Sequence, residues 1–257
     1  MHNYVISLIS ADQRREHIKQ QFNKKEVDFR FFDAVTPTLA LSLVQDMRLN
    51  YNEKYLSEGE LACFMSHVSL WKKIVDENIS SMAIFEDDIY LGENAREFLN
   101  FHNWIKGDWD IVKLELTQSK IIISNNLELS KSHREFFELK YPHLGAGAYI
   151  LSNACAIKLM QYIIEMDYLL PVDEIIFRNL INFENYKILQ MSPALCIQDI
   201  IVHRGEEVSN LKSSLIKERG VRMHKEKHSP LQKLIREFKR FINQIKILLF
   251  AKKIYFK

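Results

Sequence analysis

The 257-residue chain predicts an α/β fold, a mainly parallel sheet flanked by helices, and three observations carry that expectation. Short apolar runs of strand length alternate with longer stretches of helical period, and two of those stretches open on capping-box signatures. Only 7 glycines and 5 prolines punctuate the chain, too few for a loop-rich β-sandwich. Hydrophobic residues make up 47%, enough to build a core, and there is no internal repeat or low-complexity stretch.

Taken in order, residues 4–9 form a first strand. The charged Asp12, Arg14 and Arg15 follow it too closely for a secretory leader. Ser10-Ala11-Asp12-Gln13 has the Ser-x-x-Gln form of a capping box and predicts a helix to about residue 25, with a strand at 29–32 after it. Ser57-Glu58-Gly59-Glu60 is a second capping box, opening a helix through residue 77 that leads into a strand at 82–85. A short helix at 94–103, strands at 111–116, 148–151 and 187–190, and helices at 153–165 and 173–182 complete the alternation. Neither Gly-x-Gly-x-x-Gly nor a phosphate loop ending in Gly-Lys-Ser/Thr occurs, which argues against a nicotinamide dehydrogenase or a P-loop kinase. Cys63, Cys155 and Cys196 are odd in number and widely spaced, so neither a disulfide framework nor a structural zinc site is expected, and a reducing cytoplasm fits.

The strand at 82–85 ends in three consecutive carboxylates, Glu86, Asp87 and Asp88. Like charges so placed repel unless a cation or a positive substrate group lies among them. Oxygen ligands favour Mg2+ or Mn2+, ions that commonly share their coordination with phosphate oxygens. The plain alternative is a solvated acidic turn. Position favours the ligand, because open α/β sheets bind at the carboxyl ends of their strands.

Charge divides the chain unevenly. Residues 217–257 carry 13 Lys or Arg against 3 acids, whereas the preceding part has 22 basic and 30 acidic residues. Within the tail Leu231, Leu234, Ile235, Phe238, Phe241, Ile242, Ile245, Leu248 and Leu249 recur at helical steps, with Lys233, Arg236, Lys239, Arg240 and Lys246 between them. This is the pattern of a helix lying on an anionic membrane surface, where each basic residue adds about 1 kcal/mol. Packing on the body or in a homodimer is the alternative. No nucleic-acid recognition motif accompanies the charge, and no apolar stretch reaches the ~20 residues of a spanning helix. The expected division is a catalytic domain at 1–216 and a basic amphipathic tail at 217–257.

Several segments then fall into one order: Val5-Ile6-Ser7-Leu8, Arg14-Arg15, Phe31-Phe32-Asp33-Ala34, Gly59-Glu60-Leu61-Ala62-Cys63-Phe64-Met65-Ser66-His67 before Leu70-Trp71, and Phe85-Glu86-Asp87-Asp88. Gly145-Ala146-Gly147-Ala148-Tyr149-Ile150, Pro171-Val172-Asp173 and Ser192-Pro193-Ala194-Leu195-Cys196-Ile197-Gln198 continue it. Over roughly residues 3–220 the chain resembles the family 25 glycosyltransferases of bacterial lipooligosaccharide synthesis, and within that family its β-1,4-galactosyltransferases. The resemblance implies a Rossmann-like GT-A fold, UDP-galactose as donor, Mn2+ or Mg2+ as cofactor and a terminal lipooligosaccharide sugar as acceptor. It further implies a cytoplasmic enzyme, peripheral on the inner face of the inner membrane of a Gram-negative bacterium.

The resemblance also assigns residues. Glu86 and Asp88 match the acidic metal motif, with Asp87 beside them, and Asp173 matches a family Asp suited to be the base of an inverting transfer, with Glu174 as its local competitor. A simple helix cap is the alternative for Asp173. Ser7, Leu8 and Arg14 follow the first strand, where such enzymes hold the nucleotide, although many relatives have Asn at the position of Ser7. Glu115 is a candidate for binding the donor galactose or acceptor hydroxyls, and a buried salt bridge between it and Lys113 is not expected; Gly145 and Gly147 could let the backbone approach the sugar, with a tight turn as the alternative. His67 could approach the metal or diphosphate or be structural, and His203 is left outside the site. UDP-glucose or another hexose donor, a catalytically silent sugar-nucleotide binder, and a metal-dependent phosphatase or nuclease are the competing functions.

Overall fold

The computed structural model describes residues 1–101, 104–204, 211 and 230–257. Its strands are β1 (His2–Ser7), β2 (Arg30–Asp33), β3 (Ser81–Glu86), β4 (Ile89–Leu91), β5 (Ile111–Lys113), β6 (Lys120–Ile121), β7 (Ile123–Lys131), β8 (Arg134–Leu139), β9 (Ala148–Ser152), β10 (Ile188–Ser192), β11 (Cys196–Gln198) and β12 (Lys252–Lys253). Its helices are α1 (Asp12–Lys24), α2 (Pro37–Asp46), α3 (Glu58–Asp76), α4 (Ala95–Leu99), α5 (Asn153–Glu165), α6 (Val172–Glu174), α7 (Asp199–Val202) and α8 (Pro230–Phe250).

Eight strands form one sheet in the order β2-β1-β3-β9-β5-β10-β8-β7. β1 pairs in parallel with both β2 and β3, and β5 with β10, whereas β9 runs antiparallel between β3 and β5 and β8 runs antiparallel between β10 and β7. All strands but β9 and β8 therefore point one way, as the βα alternation predicts, and the carboxyl ends of β1, β3 and β5 share one edge.

Period-two alternation distributes the sheet residues between two cores. Ile84 and Leu151 pack with α3 and α5 on one face; Phe85 and Ile150 pack with Ile18 and Phe22 of α1 and with α4 on the other. Burying Ile84 and Phe85 on opposite faces contributes roughly 1.5–3 kcal/mol each, so β3 is fixed in register and its acidic end with it.

The second capping box forms as the sequence predicts. Ser57 Oγ accepts from Glu60 N at 3.2 Å and the Glu60 carboxylate accepts from Ser57 N at 2.9 Å. The first does not: Ala11 is the N-cap of α1 with no side-chain bond, because Ala11 N already donates to Leu8 O at 3.0 Å and puts Ser10 in a turn outside the helix. The expected helix at 173–182 is α6 followed by a π turn (Ile175–Asn179) and a 3-10 turn (Leu180–Asn182). Ile175, Ile176 and Phe177 are all buried along the π turn.

The hairpin β7–β8 goes unannounced in the sequence because its turn residues, Ser132 and His133, take positive φ (51° and 63°) without the usual Asn or Gly. The tail does not end as a detached helix. β12 pairs with β6, Ile254 is buried, and Arg134 donates to the Lys257 carbonyl at 2.5 Å. Along α8, Phe238, Phe241, Leu248 and Leu249 are exposed. The expected boundary at 216–217 lies outside the described residues, and among those described no helix is long and apolar enough to cross a membrane.

Candidate active site

The carboxyl end of β3 releases the chain into a tight acidic turn before β4. Glu86 stays partly exposed while Asp87 and Asp88 are buried. Arg14, from the first turn of α1, forms an ion pair with Asp87 and lies 3.8 Å from Asp88 Oδ2; its other guanidinium nitrogen donates to Leu211 O at 2.9 Å. Asp88 Oδ1 is buried without a hydrogen-bond partner. Burial, reinforced by the charge of Glu86, lifts the Asp88 carboxyl to about 8 against the opposing pull of Arg14. A buried carboxylate with an unpartnered oxygen, beside two more acids, is an environment that a hard cation such as Mn2+ or Mg2+ relieves, and Asp88 Oδ1 fits that demand.

Opposite the triplet, β9 enters through Gly145 and Gly147. Gly145 has φ of +102°, and a Cβ there would stand 2.8 Å from Glu115 Oε1; at Gly147 a Cβ would stand 2.7 Å from Gln198 Nε2. Only glycine lets the backbone run this close to the carboxylates. Gly147 O accepts from Glu86 N, and Gly147 N donates to Glu115 Oε1, both at 2.9 Å. Gly145 N donates to Asp173 Oδ2 at 3.2 Å. One polar chain thus runs from Glu86 to Asp173.

Lys113 anchors that chain and overturns the expectation that it forms no buried salt bridge. Its ammonium lies 3.0 Å from Glu115 Oε1, donates to Gly145 O and sits 3.8 Å from the Phe177 ring centroid, with both charged side chains fully buried. β5 ends at Lys113, and Glu115 leaves the sheet to bridge Cys196 rather than continue a solvated strand. Burial lowers the Lys113 ammonium and raises the Glu115 carboxyl, each pulled back by the other.

The remaining sequence-predicted residues divide. Asp173 is partly exposed and does not cap its helix, whose N-cap is Pro171; its second oxygen accepts from Glu174 N at 3.0 Å. Glu174 is ion-paired with Arg178 one turn on. Ser7 is buried at the end of β1 with its hydroxyl 3.4 Å from Leu8 O, while the Leu8 side chain is exposed; the β1–β3 register, Ile6 opposite Glu86, puts both at the edge that carries the triplet.

His67 is buried, with Nδ1 2.9 Å from Tyr149 Oη and Nε2 3.7 Å from Glu86 Oε1, and Cys63 Sγ is 3.9 Å from the same oxygen. His203 pairs with Asp199 at 3.0 Å, beside Tyr90, whose hydroxyl also donates to Asp199 at 3.0 Å. These groups border a cavity of about 630 Å3 that α1 closes with Asp12, Glu16 and His17. Asp199 N donates to Asp88 O at 2.8 Å, so the cavity adjoins the triplet, but its lining is too acidic to receive a diphosphate unaided.

Sequence reasoning missed Lys113, Gln198 and Asp199. Gln198 Nε2 donates to Glu86 Oε2 at 2.9 Å from more than a hundred residues away; the residue closes the family-like segment Ser192 to Gln198, but nothing local pairs it with Glu86. Cys63 did carry a local signal, standing four residues before His67 on a predicted helix.

A sheet that gathers buried carboxylates at the carboxyl ends of its strands, facing a glycine-lined backbone, defines an α/β enzyme with its site at the strand ends. Sequence comparison gives the family: the profile of glycosyltransferase family 25 (LPS biosynthesis protein) matches residues 1–176, and the chain belongs to that family. It is therefore a glycosyltransferase. The lipooligosaccharide biosynthesis protein lex-1 of Haemophilus influenzae is 33% identical over 269 residues, 92% of this chain and 88% of the relative. The lacto-N-neotetraose biosynthesis glycosyltransferase LgtE of Neisseria meningitidis is 36% identical, over 78% of this chain and 75% of the relative. LgtB of Neisseria gonorrhoeae, of the same description, is 34% identical over 84% and 81% respectively. Among solved structures, the inositol-1-phosphate CTP transferase of T. maritima aligns over 89% of this chain and 98% of its own with 10% identity and a TM-score of 0.39, too distant to bear on function.

Proposed function

We propose that this enzyme is an inverting, GT-A type β-1,4-galactosyltransferase that moves galactose from UDP-galactose to a terminal sugar of lipooligosaccharide. The observation that carries the proposal is the buried, partly unpartnered Asp88 beside Glu86, joined through Gly147 and Gly145 to Asp173. The relatives named for lipooligosaccharide and lacto-N-neotetraose biosynthesis support the acceptor and the sugar class.

Mn2+ or Mg2+, held by Asp88 and Glu86, would supply Lewis-acid stabilisation to the departing diphosphate. Arg14 neutralises Asp87 and keeps the turn compact, so that Asp88 and Glu86 face the ligand rather than repel the fold apart. Ser7 and Leu8 border the nucleotide at the same sheet edge. Gly147 lets the donor sugar approach the backbone, and Glu115, locked by Lys113 and Gly147 N, presents its other oxygen, buried and unpartnered, to a sugar hydroxyl.

Asp173 takes the proton of the attacking acceptor hydroxyl. Backbone N–H groups of Gly145 and Glu174 orient its two oxygens, each of which keeps a lone pair for that proton. Glu174, neutralised by Arg178, is the weaker base. The exposed apolar residues of α8, interleaved with Arg236, Arg240 and Lys246, rest on the anionic inner leaflet near the acceptor lipid.

The test is a screen of UDP-sugars with Mn2+ against lactose, glucose and heptose acceptors, with product linkage read by NMR. A β-1,4-galactosyl product is expected. An α-linked product would remove the inverting base, and preference for UDP-glucose would replace the donor.

A further inference from the structure

The face of α3 turned toward the end of β3 carries a donor set that sugar transfer leaves unused. Cys63 and His67 stand four residues apart, so their side chains share one face of the helix and meet the Glu86 carboxylate. Cys63 Sγ, His67 Nε2 and Glu86 Oε1 all lie within 4.8 Å of one another. His67 is fully buried, and its Nε2, aimed at this space, has no hydrogen-bond partner. A buried polar atom left unsatisfied is unfavourable, a cost that a ligand at this point removes.

We propose that Cys63, His67 and Glu86 form a three-ligand site for a thiophilic divalent cation, with Zn2+ as the ion that fits it best. Bonds of about 2.0–2.3 Å set neighbouring ligand atoms roughly 3.3–3.7 Å apart around tetrahedral zinc. The Glu86 oxygen already lies 3.7 Å from His67 Nε2 and 3.9 Å from Cys63 Sγ, so small side-chain rotations close the site. A thiolate, an imidazole and one carboxylate select zinc over the hard ions that suit Asp88.

The surrounding groups hold these ligands in place. Trp71 Nε1 donates to Tyr149 Oη at 2.9 Å, and Tyr149 Oη lies 2.9 Å from His67 Nδ1. With the imidazole proton on Nδ1 and given to that oxygen, the Nε2 lone pair faces the cation. Gln198 holds Glu86 Oε2, which leaves Oε1 as the oxygen turned toward Cys63 and His67. On binding, the Cys63 thiol releases its proton to solvent as the zinc–sulfur bond forms, and a water takes the fourth position. Cys63 and Glu86 are partly exposed, so the ion has a way in.

Glu86 is common to this site and to the proposed diphosphate cation. Zinc therefore competes for that carboxylate and inhibits transfer supported by Mn2+. This consequence rests on the function proposed above, whereas zinc binding itself does not.

The test uses the reduced full-length protein with Co2+ and Zn2+ as probes. Co2+ should give a thiolate-to-metal charge-transfer band with tetrahedral visible absorption, bleached by one equivalent of Zn2+. Zn2+ should protect Cys63 from alkylation mapped by mass spectrometry, while Cys155 and Cys196, both buried, stay unlabelled. Cys63→Ser and His67→Gln should each weaken Zn2+ binding at least about 10-fold, and Asp88→Asn should leave it unchanged. Absence of the thiolate band in the unmutated protein, equal alkylation with and without Zn2+, or a band that survives Cys63→Ser overturns the proposal. The first two measurements need no variant, so a misfolded mutant does not shelter it. Galactosyl transfer without a cobalt–thiolate band removes this site alone; the band without transfer removes only its inhibitory role.

Discussion

Glu115→Ala should be among the most damaging single changes in this protein, for a reason separate from any role in binding sugar. The Lys113 and Glu115 side chains have no solvent exposure, and their 3.0 Å contact is the charge compensation available to a buried ammonium. Truncating Glu115 leaves Lys113 with the Gly145 carbonyl and the Phe177 face, and leaves Gly147 N without its acceptor. Breaking a buried pair from one side costs about 3–5 kcal/mol, a large fraction of the 5–15 kcal/mol that typically separates folded from unfolded domains.

Glu115→Gln keeps an oxygen for Gly147 N and loses only the charge, so it should cost less, about 1–3 kcal/mol. The double change Lys113→Met/Glu115→Gln should recover much of the Glu115→Ala loss, because no unpaired charge remains. Urea unfolding with matched m-values measures all three. A Glu115→Ala loss below about 1 kcal/mol, or a double mutant as unstable as the sum of its singles, would show that the pair is hydrated rather than buried.

Asp88, whose carboxyl is lifted to about 8 from an ordinary 3.8, makes stability of the metal-free protein fall as pH rises. The folded state holds the proton more tightly, so the contribution is full below about pH 3.8 and gone above about 8. Thermal melts across that range should show the decline, Asp88→Asn should flatten it, and Mn2+ should offset it at the alkaline end. Asp173→Asn should lower kcat by about 10²–10⁴ while donor binding survives, whereas Glu174→Gln loses the ion pair with Arg178, worth a few tenths of a kcal/mol, and keeps turnover; the reverse outcome exchanges the two roles. Phe241→Ser with Leu248→Ser should weaken binding to vesicles of anionic lipid without moving Tm, since both side chains are exposed. Deleting residues 251–257 should instead lower Tm, because Ile254 is buried; an unchanged melt would mean that the tail's end does not pack.

Much of the fold was legible because each signal was local. The Ser57 capping box, the apolar run of β3 and the segment that becomes α5 depend on residues within a turn or two of one another. Where two residues made a turn by unusual backbone, as at Ser132 and His133, the sequence carried no signal. At Ser10 a genuine capping pattern lost to a competing backbone hydrogen bond from Ala11. For the site, the acidic triplet, Arg14, Glu115, Gly147 and Asp173 could all be named in advance, and the structure brings them to one edge of the sheet.

Their pairings could not be named. The choice of Arg14 for Asp87, of Lys113 for Glu115 and of Gln198 for Glu86 depends on strand order, and above all on β9 running antiparallel between β3 and β5. The sequence by itself determined which groups carry charge, which segments bury apolar surface and which family the motifs resemble, because composition and short-range periodicity encode these. Only the tertiary structure decided which carboxylate is neutralised, which keeps an unpartnered oxygen and which one turns to face Cys63 and His67. Burial and distance set those states, and neither exists until elements remote in the chain have packed together.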